Sequence, residues 1–364
     1  MIRLNRLNQT WKQVCVSGVA PISLPEDIDA ARIVRLIARA RIPMGDRLAS
    51  DLPRGAPDMT AIHFDTWSDD DTRRKRLYQG DIFVYGPTPE TLAFKDFAGK
   101  MIEDAFGDLD PEMAQYGMVV EDYARLLGDL KPRFIHHPES KSHIQKILSR
   151  FGCDKAATYF EVPKLRTSTS DNYLTAGIAY AWHPHRDTWY SAPPCQINWW
   201  MPIYDILPGN CMAFHTAWWG RPLKNDSKVF NYYEWNQKYR GPALTKHINS
   251  DPRPLPKPLT PIAADDDHRI IVPPGGLILF SAAHLHSSVA NTTGRTRFSL
   301  DFRTVAATDL RTGAGAANLD SACTGTVLRE FRSAHDLSGV PDDLVGLYED
   351  GTESTDPASY AAPA

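Results

Sequence analysis

Residues 275–303, GGLILFSAAHLHSSVANTTGRTRFSLDFR, carry the pattern from which the fold can be read. The pair Gly275-Gly276 marks a turn, and LILFS is an apolar run of the length of a buried strand. Two histidines, His284 and His286, follow it. Beyond them Asn291 stands at +5 from His286, Arg295 at +9 and Arg297 at +11, and RFSLDFR then alternates polar with apolar residues. That period of two belongs to a strand with one buried face. A buried strand, a short connection and an alternating return strand together predict antiparallel sheet.

The same texture reaches back to Phe151. TYFEVPKLRTS, AGIAYAWHPH, CQINWWMPIYDI, CMAFHTAWW and RIIV are short runs rich in Val, Ile, Tyr, Phe and Trp, punctuated by turn residues. Seven of the nine tryptophans fall in this half, and 13 of the 28 prolines cluster between Pro193 and Pro274, which argues against long helices there. The first half differs. From about Thr88 to Phe151, apolar residues recur every three or four positions in TPETLAFKDFAGKMIEDAF, PEMAQYGMVVEDYARLLGDL and SKSHIQKILSRFG, as helices with one buried face require. DIDAARIVRLIARARIP reads as a further helix, capped at Asp27 or Asp29 and ended by Pro43. HFDTWSDDDTRRKRLYQGDIFVYG reads as a charged turn followed by a strand. Past Thr312 the chain is rich in Ala, Gly and Asp, with one candidate helix around Val327–His335 and a final dozen residues expected to be disordered.

The expected fold is therefore α+β, a double-stranded β-helix (jelly-roll or cupin-like) core of about eight antiparallel strands with N-terminal flanking helices. Mainly helical elements over 1–150 would pack on a core at 151–312, followed by an extension at 313–364, all in one domain. Composition narrows the class. With 364 residues, 42% of them hydrophobic and 23% charged, the chain is neither a fibre, a coiled coil nor wholly disordered. A net charge of −4 gives no basic field for nucleic acid or an anionic membrane. No stretch is long enough to span a membrane and the amino terminus lacks the apolar centre of a signal peptide, so a soluble, cytoplasmic protein is expected. The five cysteines (Cys15, Cys153, Cys195, Cys211, Cys323) are scattered without a CxxC pair, which fits reduced thiols and not a disulfide framework or a cysteine-zinc site. The sequence assigns no oligomeric state.

Chemistry concentrates in AWHPHRDTWYS. In His185-Arg186-Asp187 the imidazole and carboxylate stand two residues apart, and on an extended strand both would project to one face. A histidine from another strand would complete two neutral nitrogens and one carboxylate on one face of a metal, with three positions left open, the usual ligand set of non-haem Fe(II) oxygenases. A bare HxD arises often by chance, as a surface histidine beside a salt-bridged aspartate. The turn, strand and spaced Asn and Arg around His286 are what set this one apart.

On these residues the chain resembles the phytanoyl-CoA dioxygenase-like family of Fe(II)/2-oxoglutarate-dependent oxygenases. The resemblance covers about residues 155–305. It runs through HxD, a strand like NWWMPIYDI, the segment Asn210-Cys211-Met212-Ala213-Phe214, and the turn-strand-histidine with Asn and Arg downstream. Two departures are Cys211, where the family usually carries glycine, and His215-Thr216-Ala217-Trp218, which replaces the commoner Pro-Gly-Ser-His turn. The resemblance implies Fe(II) held by His185, Asp187 and His286, with 2-oxoglutarate as cosubstrate and dioxygen as oxidant. It implies that Arg297 pairs with the outer carboxylate of 2-oxoglutarate, as a planar guanidinium can by forking onto it. Ser288, Trp200, Asn172 and Thr167 match positions that often touch the cosubstrate. Asp187 argues against halogenation, because halide-using relatives vacate that position.

The implied activity is oxidation of an unactivated C–H bond in a small molecule, such as an amino acid or a natural-product intermediate. Hydroxylation, desaturation, cyclisation and epimerisation stay open. So do a non-redox metal-dependent cupin-type enzyme and a non-catalytic binding protein. Among competing residues, His183 is expected beside the metal site or in solvent, Arg295 in a surface salt bridge and Arg186 in a structural role. Trp200 reads equally as core. The clustered aromatics read mostly as core or rim, and RPLKNDSKVFNYYEWN (Arg221, Lys224, Asn225, Asp226) reads as a surface loop or as a lining for a polar substrate.

Overall fold

The computed structural model describes residues 60–175, 183–239, 253–262 and 267–349, together with the backbone of three strands before residue 24. In chain order the elements are β1 (Ile2–Leu7), β2 (Thr10–Cys15), β3 (Ile22–Ser23), β4 (Ile62–Phe64), α1 (Asp70–Tyr78), β5 (Ile82–Tyr85), α2 (Pro89–Phe106), α3 (Val120–His136), α4 (Pro138–Arg150), β6 (Thr158–Glu161), β7 (Lys164–Ser168), β8 (Ile197–Pro202), β9 (Met212–Phe214), α5 (Tyr232–Lys238), β10 (His268–Ile271), β11 (Leu277–Ser281), β12 (His286–Ser288), β13 (Arg297–Ala306) and β14 (Phe331–Ser333). The expected helix over DIDAARIVRLIARARIP and the disordered final dozen residues lie outside the described residues.

The fold is α+β around a sheet of eight strands, ordered β14-β6-β13-β8-β11-β5-β4, with β7 also paired to β13. A second sheet runs β12-β9-β10-β1-β2-β3. Most pairs are antiparallel, as expected, but β4–β5 and β1–β10 are parallel, so the strands are mixed and more numerous than eight.

Alternation along the central strands decides what each face covers. Phe298, Leu300 and Phe302 of β13, Ile197, Trp199 and Met201 of β8, and Leu277 and Leu279 of β11 face the helices. There they meet Phe94, Ala98 and Ile102 of α2, Leu127, Leu130 and Phe134 of α3, and Ile144, Ile147 and Leu148 of α4. Each such leucine, isoleucine, phenylalanine or methionine, fully buried, contributes roughly 1.5–3 kcal/mol. The opposite face carries Ile82, Val84, Trp200, Ile278 and Phe280, which pack on Met212, Phe214 and Ile270 of the second sheet. Gly275, at φ +78°, makes the turn into β11 that the sequence pattern anticipated.

Two local expectations are corrected. DDTRRKRLY is a helix, α1, and not a turn: Asp69 caps it by accepting from the Thr72 amide at 2.8 Å, with acids in its first turn and bases in its last. Only Arg73 and Leu77 are buried on it, so it shows no apolar period to read. Around Val327–His335 the chain forms one 3-10 turn, Leu328–Glu330, and then β14, which adds to the sheet edge beside β6.

Candidate functional site

The HxD segment is not a continuous strand. His185 and His286 pair across a short antiparallel bridge, the His185 amide donating to the His286 carbonyl at 2.9 Å and the His286 amide returning the bond at 3.0 Å. Asp187 then opens a 3-10 turn, Asp187–Tyr190, anchored by its amide on the Ala282 carbonyl at 2.9 Å. The turn bends the carboxylate back toward both rings. Asp187 Oδ1 lies 3.3 Å from His185 Nε2 and 3.8 Å from His286 Nε2. One donor atom from each of the three side chains falls within 4.8 Å of the others, and all three are buried.

The protonation of the rings is set by the backbone. Nδ1 of His185 lies 2.9 Å from the His183 carbonyl, and Nδ1 of His286 lies 2.9 Å from the His284 carbonyl. A carbonyl only accepts, so Nδ1 carries the proton in both rings and Nε2 is turned toward Asp187. Burial, with the neighbouring His185, pushes His286 down to about 3, so that ring is neutral. Burial alone would raise the Asp187 carboxyl; the Arg303 guanidinium, whose Nε is 3.6 Å from Oδ2, works against burial and favours the ionised form, and the carboxyl lies well below the usual carboxylate range. Gln196 Nε2 donates to Oδ2 at 3.3 Å. A carboxylate and lone-pair nitrogens converging in a buried place fit a divalent cation of the later first row.

A cavity of about 620 Å³ opens on this triad, and Arg297, Ser288 and Trp200 line it too. Arg297 is 5% exposed. Its Nη1 donates to the Asn210 carbonyl at 2.8 Å, its Nη2 to Ser288 Oγ at 3.1 Å, and its guanidinium carbon sits 5.6 Å from the Trp200 ring. Nε finds no partner, and burial pushes the group down to about 10. Among the described residues no carboxylate forms an ion pair with it. Trp200 packs in the core between the two sheets and also lines the cavity. Thr167 reaches the lining, but it pairs with Phe298 and so shares the helix-facing side of the sheet; Ser168, opposite Arg297, is on the arginine's face. Asn172 is not in the lining. It is exposed at φ +57°, a left-handed turn position that asparagine tolerates.

The competing residues take other places. Arg295 is exposed and lies 3.5 Å from Glu112. Arg186 is 2% exposed, donating to the Ala283, Trp218 and Arg221 carbonyls and pairing with Asp320 at 3.2 Å. His183 bonds the Pro256 carbonyl through Nε2 at 2.7 Å, and the buried His284 ring packs 4.4 Å from Trp219. Asn291, at +5, is structural: its amide group donates to the Ser168 and Arg295 carbonyls at 2.8 and 2.7 Å and so ties down the loop that leads to Arg297. Of RPLKNDSKVFNYYEWN, the aromatics Phe230, Tyr232 and Trp235 line the cavity, while Arg221, Lys224, Asn225 and Asp226 do not.

Arg303, Gln196 and Asn198 were missed from the sequence. The signal was present: Arg303 continues the alternation Arg297-Ser299-Asp301, and Gln196 and Asn198 continue that of Trp200. No helix of the described residues is long and apolar enough to cross a membrane, and their four cysteines are free.

No family model matches the chain, and no curated protein matches it. Several solved structures are similar. The apo non-heme monooxygenase ThoJ is 14% identical at a TM-score of 0.33, with 59% of this chain and 70% of that one covered. EvdO2 from Micromonospora carbonacea var. aurantiaca, complexed with 2-oxoglutarate, is 14% identical at a TM-score of 0.30, with 48% and 62% covered. The epimerase SnoN, in complex with Fe3+, alpha ketoglutarate and nogalamycin RO, is 14% identical at a TM-score of 0.33, with 66% and 86% covered.

Proposed function

We propose that this chain is an Fe(II)- and 2-oxoglutarate-dependent oxygenase of small molecules, its two sheets forming a double-stranded β-helix of the phytanoyl-CoA dioxygenase-like kind. His185, Asp187 and His286 hold the metal, and Arg297, with Ser288 and Trp200 beside it, holds the far carboxylate of 2-oxoglutarate. The observation that carries this reading is Arg297 itself: a buried guanidinium with an orphaned Nε and no acidic partner, opening on the same cavity as a buried His-Asp-His cluster. A buried cation without an anion is costly, and a dicarboxylate would supply the anion.

Iron with its cosubstrate and dioxygen supplies the oxidising power to break a substrate C–H bond. The chain does the rest. The carbonyls of His183 and His284 keep the protons on Nδ1 and present both Nε2 atoms. Arg303 and Gln196 steady Asp187 through Oδ2, leaving Oδ1 toward the rings. Trp200, Phe280 and Met212 keep one wall of the cavity apolar and dry. A non-redox metal enzyme has no need of the anion pocket at Arg297.

The test is thermal unfolding of the full chain with divalent ions and then with 2-oxoglutarate, followed by succinate release under air. Co(II), Ni(II) or Fe(II) should raise Tm more than Mg(II), and 2-oxoglutarate should raise it further only with the metal present. Equal shifts with Mg(II), or no response to 2-oxoglutarate and no succinate, would overturn the proposal.

A further inference from the structure

Beside the metal cluster, a short chain of hydrogen bonds decides which polar atoms are left to the cavity. Asp187 Oδ2 is a carboxylate oxygen and only accepts, so Gln196 must turn Nε2 to it, at 3.3 Å. The same Nε2 donates to Asn198 Oδ1 at 3.0 Å, which fixes the orientation of the Asn198 amide in turn. Nδ2 is the end left over. Asn198 is 4% exposed and lines the cavity, and its Nδ2 has no partner among the described residues. A donor held in so buried a place costs free energy until an acceptor meets it.

Arg303 stands next to this amide. The two residues are opposite one another on β13 and β8, so their side chains share a face, and both line the cavity. Arg303 Nη1 donates to Glu161 Oε2 at 2.7 Å and lies 3.1 Å from Asp301 Oδ2, while Nε lies 3.6 Å from Asp187 Oδ2. Its Nη2 has no hydrogen bond among the described residues. Three carboxylates thus surround one guanidinium. They would repel an anionic ligand at Nη2, whereas a neutral oxygen is free of that cost. A carbonyl oxygen has two lone pairs and no proton to place, which suits two neighbouring donors.

This corner is separate from the anchor at Arg297. Arg303 follows Arg297 by six residues of β13, roughly 20 Å of extended chain, and Arg297 is tied to Asn210 and Ser288. Among the described lining residues, a run of rings starts at the metal cluster. Tyr190 lies 5.4 Å from His185, Phe230 5.2 Å from Tyr190, and Trp235 6.2 Å from Phe230. Such a wall favours a ligand with a flat, apolar body.

We propose that Asn198 Nδ2 and Arg303 Nη2 receive a carbonyl oxygen of the substrate, so that the cavity selects a neutral carbonyl compound with an apolar ring body. This rests on the oxygenase reading only in calling the ligand a substrate; the two donors belong to the chain whatever its reaction. The experiment uses the full chain with Ni(II) and saturating 2-oxoglutarate. The probes are 1-indanone, 1-tetralone and 9-fluorenone, each paired with the compound in which a methylene replaces the carbonyl (indane, tetralin, fluorene). Binding is read by thermal shift and calorimetry.

At least one ketone should bind about tenfold or more tighter than its methylene counterpart, as a charge-assisted hydrogen bond implies. Asn198→Asp keeps the acceptor for Gln196 and turns the donor into a second acceptor, so it should bring that preference to within about twofold. Asn198→Leu removes the donor without adding charge; it should do the same, and it serves should the first variant unfold. Equal binding of ketone and methylene compound by the wild type would overturn the assignment. So would a preference that survives in whichever variant folds, or no binding by any member of the panel. A wild type that ignores 2-oxoglutarate but still prefers ketones would sink the oxygenase reading and leave the carbonyl site standing.

Discussion

Replacing Arg297 with lysine keeps the charge on β13 and removes the fork, and the geometry says how much that should cost. A guanidinium has five N–H donors. Two are committed to the protein, one to the Asn210 carbonyl at 2.8 Å and one to Ser288 Oγ at 3.1 Å, and Nε has no protein partner. Up to three donors therefore remain for an anion. A lysine ammonium has three, and the same two acceptors leave it one. The variant loses at least one charge-assisted bond to the cosubstrate, typically ~1.5–3 kcal/mol, or roughly ten- to hundredfold in affinity. The assay is the 2-oxoglutarate concentration giving half the maximal thermal shift with Ni(II), and half-maximal succinate release with Fe(II). Both should rise together in Arg297→Lys, while the shift caused by Ni(II) alone stays at the wild-type value. Arg295→Lys is the control. That side chain is 56% exposed and 3.5 Å from Glu112, a surface pair whose alteration should change the cosubstrate requirement less than about twofold. An unchanged requirement in Arg297→Lys, with a large rise in Arg295→Lys, would refute the assignment.

Two further outcomes follow from the site. His286→Ala should abolish the Ni(II) shift and turnover while the chain still unfolds cooperatively, whereas His284→Gln, which keeps the carbonyl that holds His286 Nδ1, should retain metal binding; calorimetry of both variants decides it, and the reverse pattern would make His284 the ligand. Stability should fall steeply in acid through Glu161. Burial alone would raise its carboxyl, but Lys164 at 3.0 Å and Arg303 at 2.7 Å hold it down to about 2, against 4.5 in the unfolded chain. Between those values the unfolded state binds the extra proton, so the contribution is complete above about pH 4.5 and is lost as pH falls toward 2. Linkage puts it at about 3 kcal/mol at most. Urea unfolding between pH 5 and about 3 should show a shallower decline in Glu161→Gln than in wild type; parallel declines would show that the carboxylate is not so held.

Much of the fold was legible because period-two patterning fixes which side of a strand meets the core. Phe298, Leu300 and Phe302 could be assigned to a buried face from the sequence, and the structure puts all three against the helices. What patterning does not report is the neighbour across the sheet. Nothing local to Thr167 says that it pairs with Phe298, or that Ser168 is the residue opposite Arg297. Asn172 failed as a cavity residue for a similar reason, since a left-handed turn position and a ligand contact favour the same residue type. α1 was invisible because its stability comes from a cap, charges at both ends and a buried Arg73, none of which makes an apolar period.

The HxD geometry shows the same limit from the other side. Two residues apart on a strand is a sufficient reason to expect His185 and Asp187 on one face, yet here the pair straddles a bridge and a 3-10 turn. Their convergence comes from main-chain bonds: His185 to His286 in both directions, and Asp187 to Ala282. The same bonds bring the carbonyls of His183 and His284 under the two rings, so each outer histidine acts through its backbone while its ring is engaged elsewhere, His183 on the Pro256 carbonyl and His284 against Trp219. That division explains why both HxH pairs look symmetrical in sequence while only the second member of each can reach the aspartate. Exchanging His183 for asparagine should thus leave the metal site intact, because the group that orients His185 is one every residue carries.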